Sequence, residues 1–298
     1  MGVLRVIGLV FLGLFLLALA LVIGAGILFL ITHTHQIQTT NQTSPQSPQY
    51  PTTGLALSQN YPAGLVYLGP NTTALTAYYC VNTAIPNTYS IQLNAQLSNG
   101  YWIQDVYSTM AYEVNGVWEP GFGEDVWSPP GNCVTESNGV ISCQSSLVSL
   151  YSVVVYGATC GWLIIAIKNG IAYFGYSLDG LNAHWYYTYP VGNATIVPNL
   201  GTQLVVGGYG NGEWVNFTNA NIVLALYYWN GTTWLPAPST AYSMVARNLP
   251  PQWVNPNTAN TEEAVYNAWV YWDNGRAIVS WPEPVNQTPQ VPSPGFTP

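Results

Sequence analysis

The sequence contains very little charge. Only 5% of its 298 residues are Asp, Glu, Lys or Arg, against about 25% in ordinary soluble proteins. Four basic residues accompany twelve acidic ones, so no basic surface is available to neutralise phosphates, and we expect no nucleic-acid partner. Cytosolic proteins usually depend on charge for solubility. The shortage of charge therefore predicts an exported protein whose solubility comes from Asn, Thr, Ser, Gln and Tyr.

Several catalytic and metal-binding motifs are also missing. The chain has three histidines, and His184 is the one that lies beyond the N-terminal region. One histidine cannot serve a convincing Ser or Cys triad, and G-x-S-x-G is absent. No phosphate-binding loop and no C-x-x-C pair occur, so the sequence predicts neither a cofactor nor a metal site.

The four cysteines form an even set, which in an exported protein predicts disulfides. Cys133 and Cys143 enclose a short segment rich in turn-forming residues and are the preferred pair. That choice leaves Cys80 to pair with Cys160. The two other ways of pairing four cysteines remain open.

The N-terminal region is apolar almost without interruption over residues 3–31. A helix of about 20 apolar residues spans a bilayer, whereas a cleaved signal has a shorter apolar core. We therefore predict an uncleaved transmembrane anchor over residues 1–32, with secretion after signal cleavage as the alternative. Arg5 precedes the span, which by the positive-inside rule places everything after Thr32 outside the cell.

Composition divides the rest of the chain into three parts. Residues 33–53 are rich in Thr, Gln, Ser and Pro and are predicted to form a flexible stalk. Residues 54–282 form the folded ectodomain. Residues 283–298 are rich in proline and are predicted to lack regular structure.

Sequons for N-glycosylation are frequent in this chain. In an exported protein such asparagines mark exposed loops or strand edges, although a chain rich in Asn and Thr also acquires sequons by chance. The predicted acceptors are Asn41, Asn71, Asn193, Asn216, Asn230 and Asn286.

The ectodomain alternates between apolar and polar residues in short runs rich in Tyr, Trp, Val, Ile and Thr, which is typical of β-strands. Six Asn-Gly pairs separate such runs, and Asn-Gly is the strongest short signal for a hairpin. We predict an all-β, antiparallel β-sandwich ectodomain, built as one unit or as two packed subdomains, and residues 191–200 are the candidate boundary between two sheets or subdomains. Residues 261–267 are the one predicted helical turn.

A few carboxylates lie among aromatic and apolar residues. Asp105 shares one strand face with Ile103, and apolar surroundings would raise its pKa. Glu124 and Asp125 are consecutive, so on a strand they point to opposite faces. Glu263 lies in the predicted helical turn, directly before Ala264. Asp105, Glu124, Asp125 and Glu263 are the candidate catalytic residues.

Two further acidic residues have simpler interpretations. Asp179 precedes a glycine and is best explained as a turn residue. Glu213 lies in a glycine-rich stretch that could approach a ligand or simply form a hairpin tip.

Paired carboxylates suggest a chemistry that needs neither histidine nor metal. Two carboxyls that share one proton can activate a water for attack on a peptide carbonyl, one as base and the other as acid. We expect Asp105 to pair with Glu124, Asp125 or Glu263. For each of these acids, a capped turn or a solvated strand face is the structural alternative.

Five segments, taken in order, resemble the thermopsin family. They are residues 61–65 (YPAGL), 101–106 (YWIQDV), 122–127 (FGEDVW), 204–212 (LVVGGYGNG) and 261–267 (TEEAVYN). The resemblance implies an all-β acid endopeptidase of thermoacidophilic archaea, secreted or bound to the surface. The resemblance does not identify a catalytic pair that could be carried over to this chain.

The sequence also departs from the family pattern. Where the family tends to have Asp-Asn before Val-Trp, this chain has Glu124-Asp125. A Tyr-Asp pair that is common in the middle of family members corresponds here to residues 185–189 (WYYTY), which contain no acid. If that Asp is catalytic in the family, this chain cannot use the family mechanism.

Two functions follow from these observations. The first is a membrane-anchored, extracellular acid endopeptidase that cleaves peptide or protein substrates. The second is a non-catalytic surface glycoprotein on the same fold, with other S-layer, pilus, adhesin or virion subunits as partners. Because acid unfolding comes largely from protonating paired carboxylates, a chain with so few of them is expected to stay folded well below pH 4.

Overall fold

The computed structural model describes residues 50–83, 85, 88–135, 141–208, 214–244 and 264–298, with the backbone alone at 132–135 and 141–144. The predicted anchor and residues 33–49 of the predicted stalk lie outside these ranges. Among the described residues, no helix is long and apolar enough to cross a membrane. Tyr50–Pro298 form one compact unit.

Within the described ranges the chain is almost entirely β. A helical turn begins at Tyr242. The strands are β1 (Thr53–Tyr61), β2 (Ala63–Tyr67), β3 (Ala74–Val81), β4 (Ser90–Gln96), β5 (Trp102–Val114), β6 (Val117–Trp127), β7 (Asn132–Thr135), β8 (Ile141–Gln144), β9 (Leu147–Val154), β10 (Cys160–Lys168), β11 (Ile171–Ser177), β12 (His184–Pro190), β13 (Gln203–Gly207), β14 (Ala220–Trp229), β15 (Trp234–Pro236), β16 (Ser239–Ala241), β17 (Val265–Asp273) and β18 (Arg276–Trp281).

The strands form two large antiparallel sheets. The nine-stranded sheet has the order β1-β17-β18-β14-β3-β10-β11-β12, with β15 beside β14, and the seven-stranded sheet has the order β16-β2-β13-β4-β5-β6-β9. Strands β7 and β8 form a separate hairpin. The prediction of an all-β, antiparallel fold is confirmed for the described residues.

One hydrophobic core lies between the two large sheets. Leu93 and Phe122 enter it from the seven-stranded sheet, and Leu163 and Phe174 enter it from the nine-stranded sheet. Each strand alternates its side chains between this core and the outer face. Strand β10 packs across β4 and β5, which brings the backbone of β10 close to the inward side chains of β5.

The Asn-Gly hairpins follow the sequence prediction closely. Asn115 and Gly116 between β5 and β6 have φ values of 52° and 81°, and Asn169 and Gly170 between β10 and β11 have φ values of 52° and 77°. Positive φ at both central residues is what a two-residue type I′ turn requires. The predicted hairpin at Asn138-Gly139 lies outside the described residues.

The structure corrects one local prediction and chooses between the alternatives of another. Residues 265–267 of the predicted helical turn belong to β17, where they pair with β1; the remaining acidic part, 261–263, lies outside the described residues. The turn prediction was wrong at 265–267 because pairing with a neighbouring strand overrides a weak local preference. Residues 191–200 connect β12 of one sheet to β13 of the other, so they join two sheets of one unit.

A disulfide joins the neighbouring strands β3 and β10. Cys80 and Cys160 are bonded with an S–S distance of 1.96 Å, which confirms this half of the predicted pairing. In the β7–β8 hairpin, the backbone register places Cys133 opposite Cys143. The bond between Cys133 and Cys143 stays a prediction.

Replacing Cys80 and Cys160 together by serine is expected to lower the free energy of unfolding by about 4 kcal/mol. The bond spans 80 residues, and closing a loop of that length removes this much conformational freedom from the unfolded chain. Chemical denaturation of the variant and the parent measures the difference. The predicted Cys133–Cys143 bond would close a much shorter loop, so the Cys133→Ser, Cys143→Ser double variant should lose less. Equal stabilities of the first variant and the parent would contradict the prediction.

Candidate active site

Asp105 and Glu124 face each other across two neighbouring strands. They are register partners in β5 and β6, and neither is exposed to solvent (0% for both). Directly opposite side chains of an antiparallel pair have their Cβ atoms about 5 Å apart. The structure therefore brings together two of the four predicted catalytic residues, on the inner face of the sheet.

The nine-stranded sheet supplies two hydrogen bonds to Asp105. The backbone N–H of Ile164 in β10 donates to Oδ2 at 2.7 Å, and the hydroxyl of Tyr186 in β12 donates to Oδ1 at 2.8 Å. Burial raises the pKa of Asp105 well above its usual value, the two hydrogen bonds oppose that rise, and the charge of Glu124 adds to it. Asp105 is thus a buried acid whose ionised form already has two donors.

Glu124 has a different environment on its two oxygens. The hydroxyl of Ser149 in β9 donates to Oε1 at 2.6 Å, and the same Ser149 oxygen lies 3.0 Å from the hydroxyl of Tyr187. Oε2 is buried without a hydrogen-bond partner in the protein. Burial raises the pKa of Glu124 to about 7, against the opposing effect of the Ser149 hydrogen bond. Oε2 is therefore the one carboxylate oxygen of this pair that has no hydrogen-bond partner in the protein.

A β-bulge in β12 directs two consecutive tyrosines to the same side. Tyr187 pairs with Phe174 and Trp185 pairs with Gly175, so Tyr186 has no register partner. An extra residue of this kind turns side chains out of strict alternation. Tyr186 consequently reaches Asp105 and Tyr187 reaches Ser149, although a regular strand would point the two tyrosines to opposite faces.

Gly175 accommodates the residue that precedes this bulge. A Cβ at Gly175 would lie 2.8 Å from Cε3 of Trp185, which is closer than real contacts allow. The indole of Trp185 can therefore lie over β11 only because residue 175 is glycine.

On the opposite sheet, the ring of Tyr151 stacks on Tyr187 with centroids 5.0 Å apart.

A shallow depression lies on the outer side of these tyrosines. It has a volume of about 280 Å³ and is lined by Trp185, Tyr186, Tyr187 and Thr188. Strand β12 is the last strand of its sheet, and β9 is the last strand of the other sheet and contacts it. Because Tyr186 and Tyr187 also contact the groups around the acids, their rings separate the depression from the acid pair.

Of the other two predicted catalytic residues, the structure describes Asp125, which does not join the pair. Asp125 is half-buried on the opposite face of β6, where its register partners are Gln104 and Leu150. The alternation of a strand explains this separation from Glu124. Glu263 and Glu213 lie outside the described residues.

Asp179 is a turn residue, as predicted. Its carboxylate accepts hydrogen bonds from the backbone N–H groups of Leu181 and Asn182. These bonds hold the pKa of Asp179 well below its usual value. In the part of the chain that the structure describes, no group of three or more His, Cys, Asp or Glu residues could hold a metal ion.

Sequence reasoning missed the groups that bind the two acids. Ser149, Ile164, Tyr186 and Tyr187 come from three strands distant in sequence, and none carries a motif. One signal was present: a glycine inside a strand pattern, here Gly175, often marks a bulge or a close approach. That signal indicates an irregularity without saying which side chains it redirects.

Replacing Tyr186 by Phe is expected to raise the pKa of Asp105 further, because the lost hydrogen bond favours the ionised carboxylate. The stability of the fold should fall by about 1 kcal/mol, since one buried oxygen loses its donor. Infrared titration of the carboxyl band measures the pKa, and denaturation measures the stability. Tyr187→Phe is the matched control, since Tyr187 contacts Ser149 and leaves Asp105 with both donors. An unchanged titration of Asp105 in the Tyr186 variant would contradict the prediction.

Comparison with known proteins gives one family match. The sequence model of the thermopsin family matches residues 164–247, which confirms the resemblance over that segment. The matched segment contains Ile164, Tyr186 and Tyr187, whereas Asp105 and Glu124 precede it. No curated protein matches the sequence.

A search of solved structures finds a functionally unknown protein from Saccharomyces cerevisiae. It shares 10% sequence identity and a TM-score of 0.27 with this chain, over 61% of this chain and 91% of the yeast protein. A TM-score this low does not indicate a shared fold. The fold and the family match define an all-β protein with a thermopsin segment. The thermopsin family suggests an acid peptidase.

Proposed function

We propose that this protein is an acid endopeptidase in which Asp105 and Glu124 hydrolyse peptide bonds. The observation that carries the proposal is the cross-strand pair of fully buried carboxyls whose hydrogen bonds differ. Asp105 has two donors and is suited to the ionised role. Glu124 has a raised pKa and a buried oxygen without a partner, and is suited to the protonated role.

The proposed reaction uses these two roles in turn. The Asp105 carboxylate takes a proton from a water molecule, and the resulting hydroxide forms a bond to the carbonyl carbon of the substrate peptide. The Glu124 carboxyl gives its proton to the carbonyl oxygen. When the C–N bond breaks, the leaving nitrogen takes the proton from Asp105, and the intermediate hydroxyl returns its proton to Glu124. Both carboxyls thereby regain their starting states.

Access to the acid pair requires movement of β12. Both acids are fully buried, and Tyr186 and Tyr187 lie between them and the surface depression. An outer strand with one neighbour is the element most easily displaced. We infer that substrate enters between β12 and β9, where a peptide can also pair with an open strand edge.

The raised pKa values also bear on the working pH. Hydrolysis by this pair needs one ionised and one protonated carboxyl, and burial moves the first ionisation above the ordinary range for Asp and Glu. The proposal therefore places the lower limit of activity above the ordinary pKa range of Asp and the upper limit near pH 7, where Glu124 loses its proton. The resemblance alone would have suggested pH 2–3.

We further propose that the protein acts outside the cell, held by its N-terminal apolar segment. The apolar run of residues 3–31 and the scarcity of charge support this location. Asparagines of the five sequons in the described residues, Asn71, Asn193, Asn216, Asn230 and Asn286, are all exposed, which is the geometry that glycosylation requires. The N-terminal sequence of the mature protein distinguishes an anchor from a cleaved signal.

Complete burial of the acids also favours a second function, a non-catalytic glycoprotein of the cell envelope or a virion. In that case the two protonated carboxyls would serve stability in acid and would never meet a substrate. The partners would then be other subunits of the surface structure.

One experiment separates the two functions. The purified full-length protein is incubated with a denatured protein substrate from pH 2 to pH 8 at high temperature, and cleavage is followed by the release of new amino groups. The peptidase proposal expects little cleavage at pH 2–3, a rise above the ordinary titration range of Asp, and a decline above about pH 7, where Glu124 loses its proton. Absence of cleavage over the whole range would favour the non-catalytic glycoprotein.

A further inference from the structure

Aromatic side chains cover part of the outer face of the nine-stranded sheet, away from the acid pair. Four strands contribute to this aromatic cradle, which consists of Tyr78 in β3, Trp162 in β10, Tyr227 in β14 and Trp234 in β15. The ring centroids of Tyr78 and Trp162 are 5.2 Å apart, and those of Trp162 and Tyr227 are 5.8 Å apart. The side chains come from paired strands, so the cradle is held rigidly.

Residues 289–298 lie on this cradle without forming a helix or a strand. The ring of Phe296 is 6% exposed, and it meets Trp162 edge-on at 5.8 Å and Trp234 at 6.1 Å. The sequence prediction that this proline-rich segment lacks regular structure agrees with the described backbone. Packing of the segment onto the sheet was not predicted.

Polar contacts bind the backbone of the segment. Trp234 Nε1 donates to the carbonyl of Phe296 at 2.7 Å, and the Tyr227 hydroxyl donates to the carbonyl of Pro292 at 3.1 Å. The N–H of Gly295 donates to the carbonyl of Gly180 at 2.7 Å. The hydrogen bonds that hold residues 289–298 thus run to the sheet and its loops.

This combination is the chemistry that recognises proline-rich segments. Proline lacks an N–H and fixes φ, so a segment rich in proline is extended, loses little entropy on binding and presents carbonyls as acceptors. Grooves lined by aromatic rings that donate hydrogen bonds recognise such segments. Gly295 adds selectivity, because a Cβ there would lie 2.8 Å from Cδ2 of Leu181 and 3.1 Å from the carbonyl oxygen of Gly180.

We propose that the aromatic cradle is a binding site for proline-rich segments that contain Pro-Gly-Phe, and that copies of this chain exchange these segments. In one copy, residues 289–298 fill the cradle of the same chain. Residues 289–298 of a second copy can make the same contacts with the cradle that the chain's own segment makes. The exchange therefore needs no additional binding surface. The chain's own segment competes for the cradle at an effective concentration in the millimolar range. The segment of a second copy therefore binds where copies are densely packed or where a cradle is empty.

A mixing experiment with two variants of the full-length chain tests the exchange. One variant stops after Thr288 and has an empty cradle, and the other carries Trp234→Ala and has a segment without a functional cradle. Each variant alone is expected to remain monomeric, whereas the mixture is expected to form a heterodimer in sedimentation analysis. A folded mixture that contains monomers alone would overturn the exchange.

Peptide binding tests the site itself. A labelled peptide with the sequence of residues 289–298 is expected to bind the shortened chain, and Phe296→Ala in the peptide should weaken binding at least about tenfold, because the buried ring is lost. Ser293→Ala is the matched control, since Ser293 is exposed. If the shortened chain fails to fold, the full-length Phe296→Ala chain takes its place. A folded chain with an empty cradle that binds no peptide would overturn the site, and peptide binding without a heterodimer would overturn the exchange.

Discussion

Replacing Glu124 by Gln is expected to reduce the rate of peptide cleavage by about 10³-fold, and Asp105→Asn is expected to do the same. Each amide has nearly the size of the acid it replaces and cannot exchange the proton, and general acid–base catalysis contributes about 10²–10⁴-fold. Initial rates on one denatured substrate at the pH of maximal activity measure the loss. Circular dichroism establishes that the variants are folded.

Asp125→Asn is the matched control for both variants. Asp125 is adjacent to Glu124 in the same strand and points to the opposite face, so its replacement should leave the rate within about twofold of the parent. A full rate in the Glu124 variant would remove Glu124 from the mechanism. An equal loss in all three variants would show that the effect is not specific to the buried pair and would contradict the assignment of Asp105 and Glu124.

The folded protein is expected to be more stable at pH 3 than at pH 8. Folding raises the pKa of Glu124 from 4.5 to about 7, so between those values the folded state holds a proton that the unfolded state has released. The free energy of unfolding therefore falls as pH rises through this window, by roughly 3 kcal/mol for Glu124 alone. Asp105 contributes in the same direction. Denaturant unfolding at several pH values measures the trend.

Two variants test the sign of this pH dependence. Glu124→Gln should flatten the curve, with a gain in stability at pH 8 and little change at pH 3. Asp179→Asn should act in the opposite sense, because the pKa of Asp179 is lowered in the fold, so the stability that its carboxylate contributes is present at neutral pH and is lost in strong acid. A parent protein that loses stability steadily from pH 7 to pH 3 would contradict the prediction.

Much of the fold could be predicted from local sequence. The strand and turn signals around Asn115-Gly116 and Asn169-Gly170 depend on residues that are neighbours in the chain, and the structure has hairpins at both places. The face of Asp105 followed from alternation along one strand. Residues 265–267 were predicted wrongly because their partner strand, β1, is about 200 residues away in the sequence.

The candidate site was predictable only in part. Sequence reasoning proposed Asp105 and Glu124 among four acids, but it could not choose between Glu124, Asp125 and Glu263 as the partner of Asp105. Cross-strand register made that choice for the described residues, because it places Asp105 opposite Glu124 and turns Asp125 away. Register depends on the whole sheet and leaves no local mark in either strand.

The sequence by itself determined a nearly uncharged β protein with a few acids among aromatic residues. It did so because strand alternation and turn preference are properties of short segments. The tertiary structure alone decided that Tyr186 and the N–H of Ile164 hold Asp105, that Ser149 holds Glu124, and that residues 289–298 cover the aromatic cradle. These contacts join segments far apart in the chain, and only the packing of the two sheets and the bulge in β12 bring them within hydrogen-bond distance.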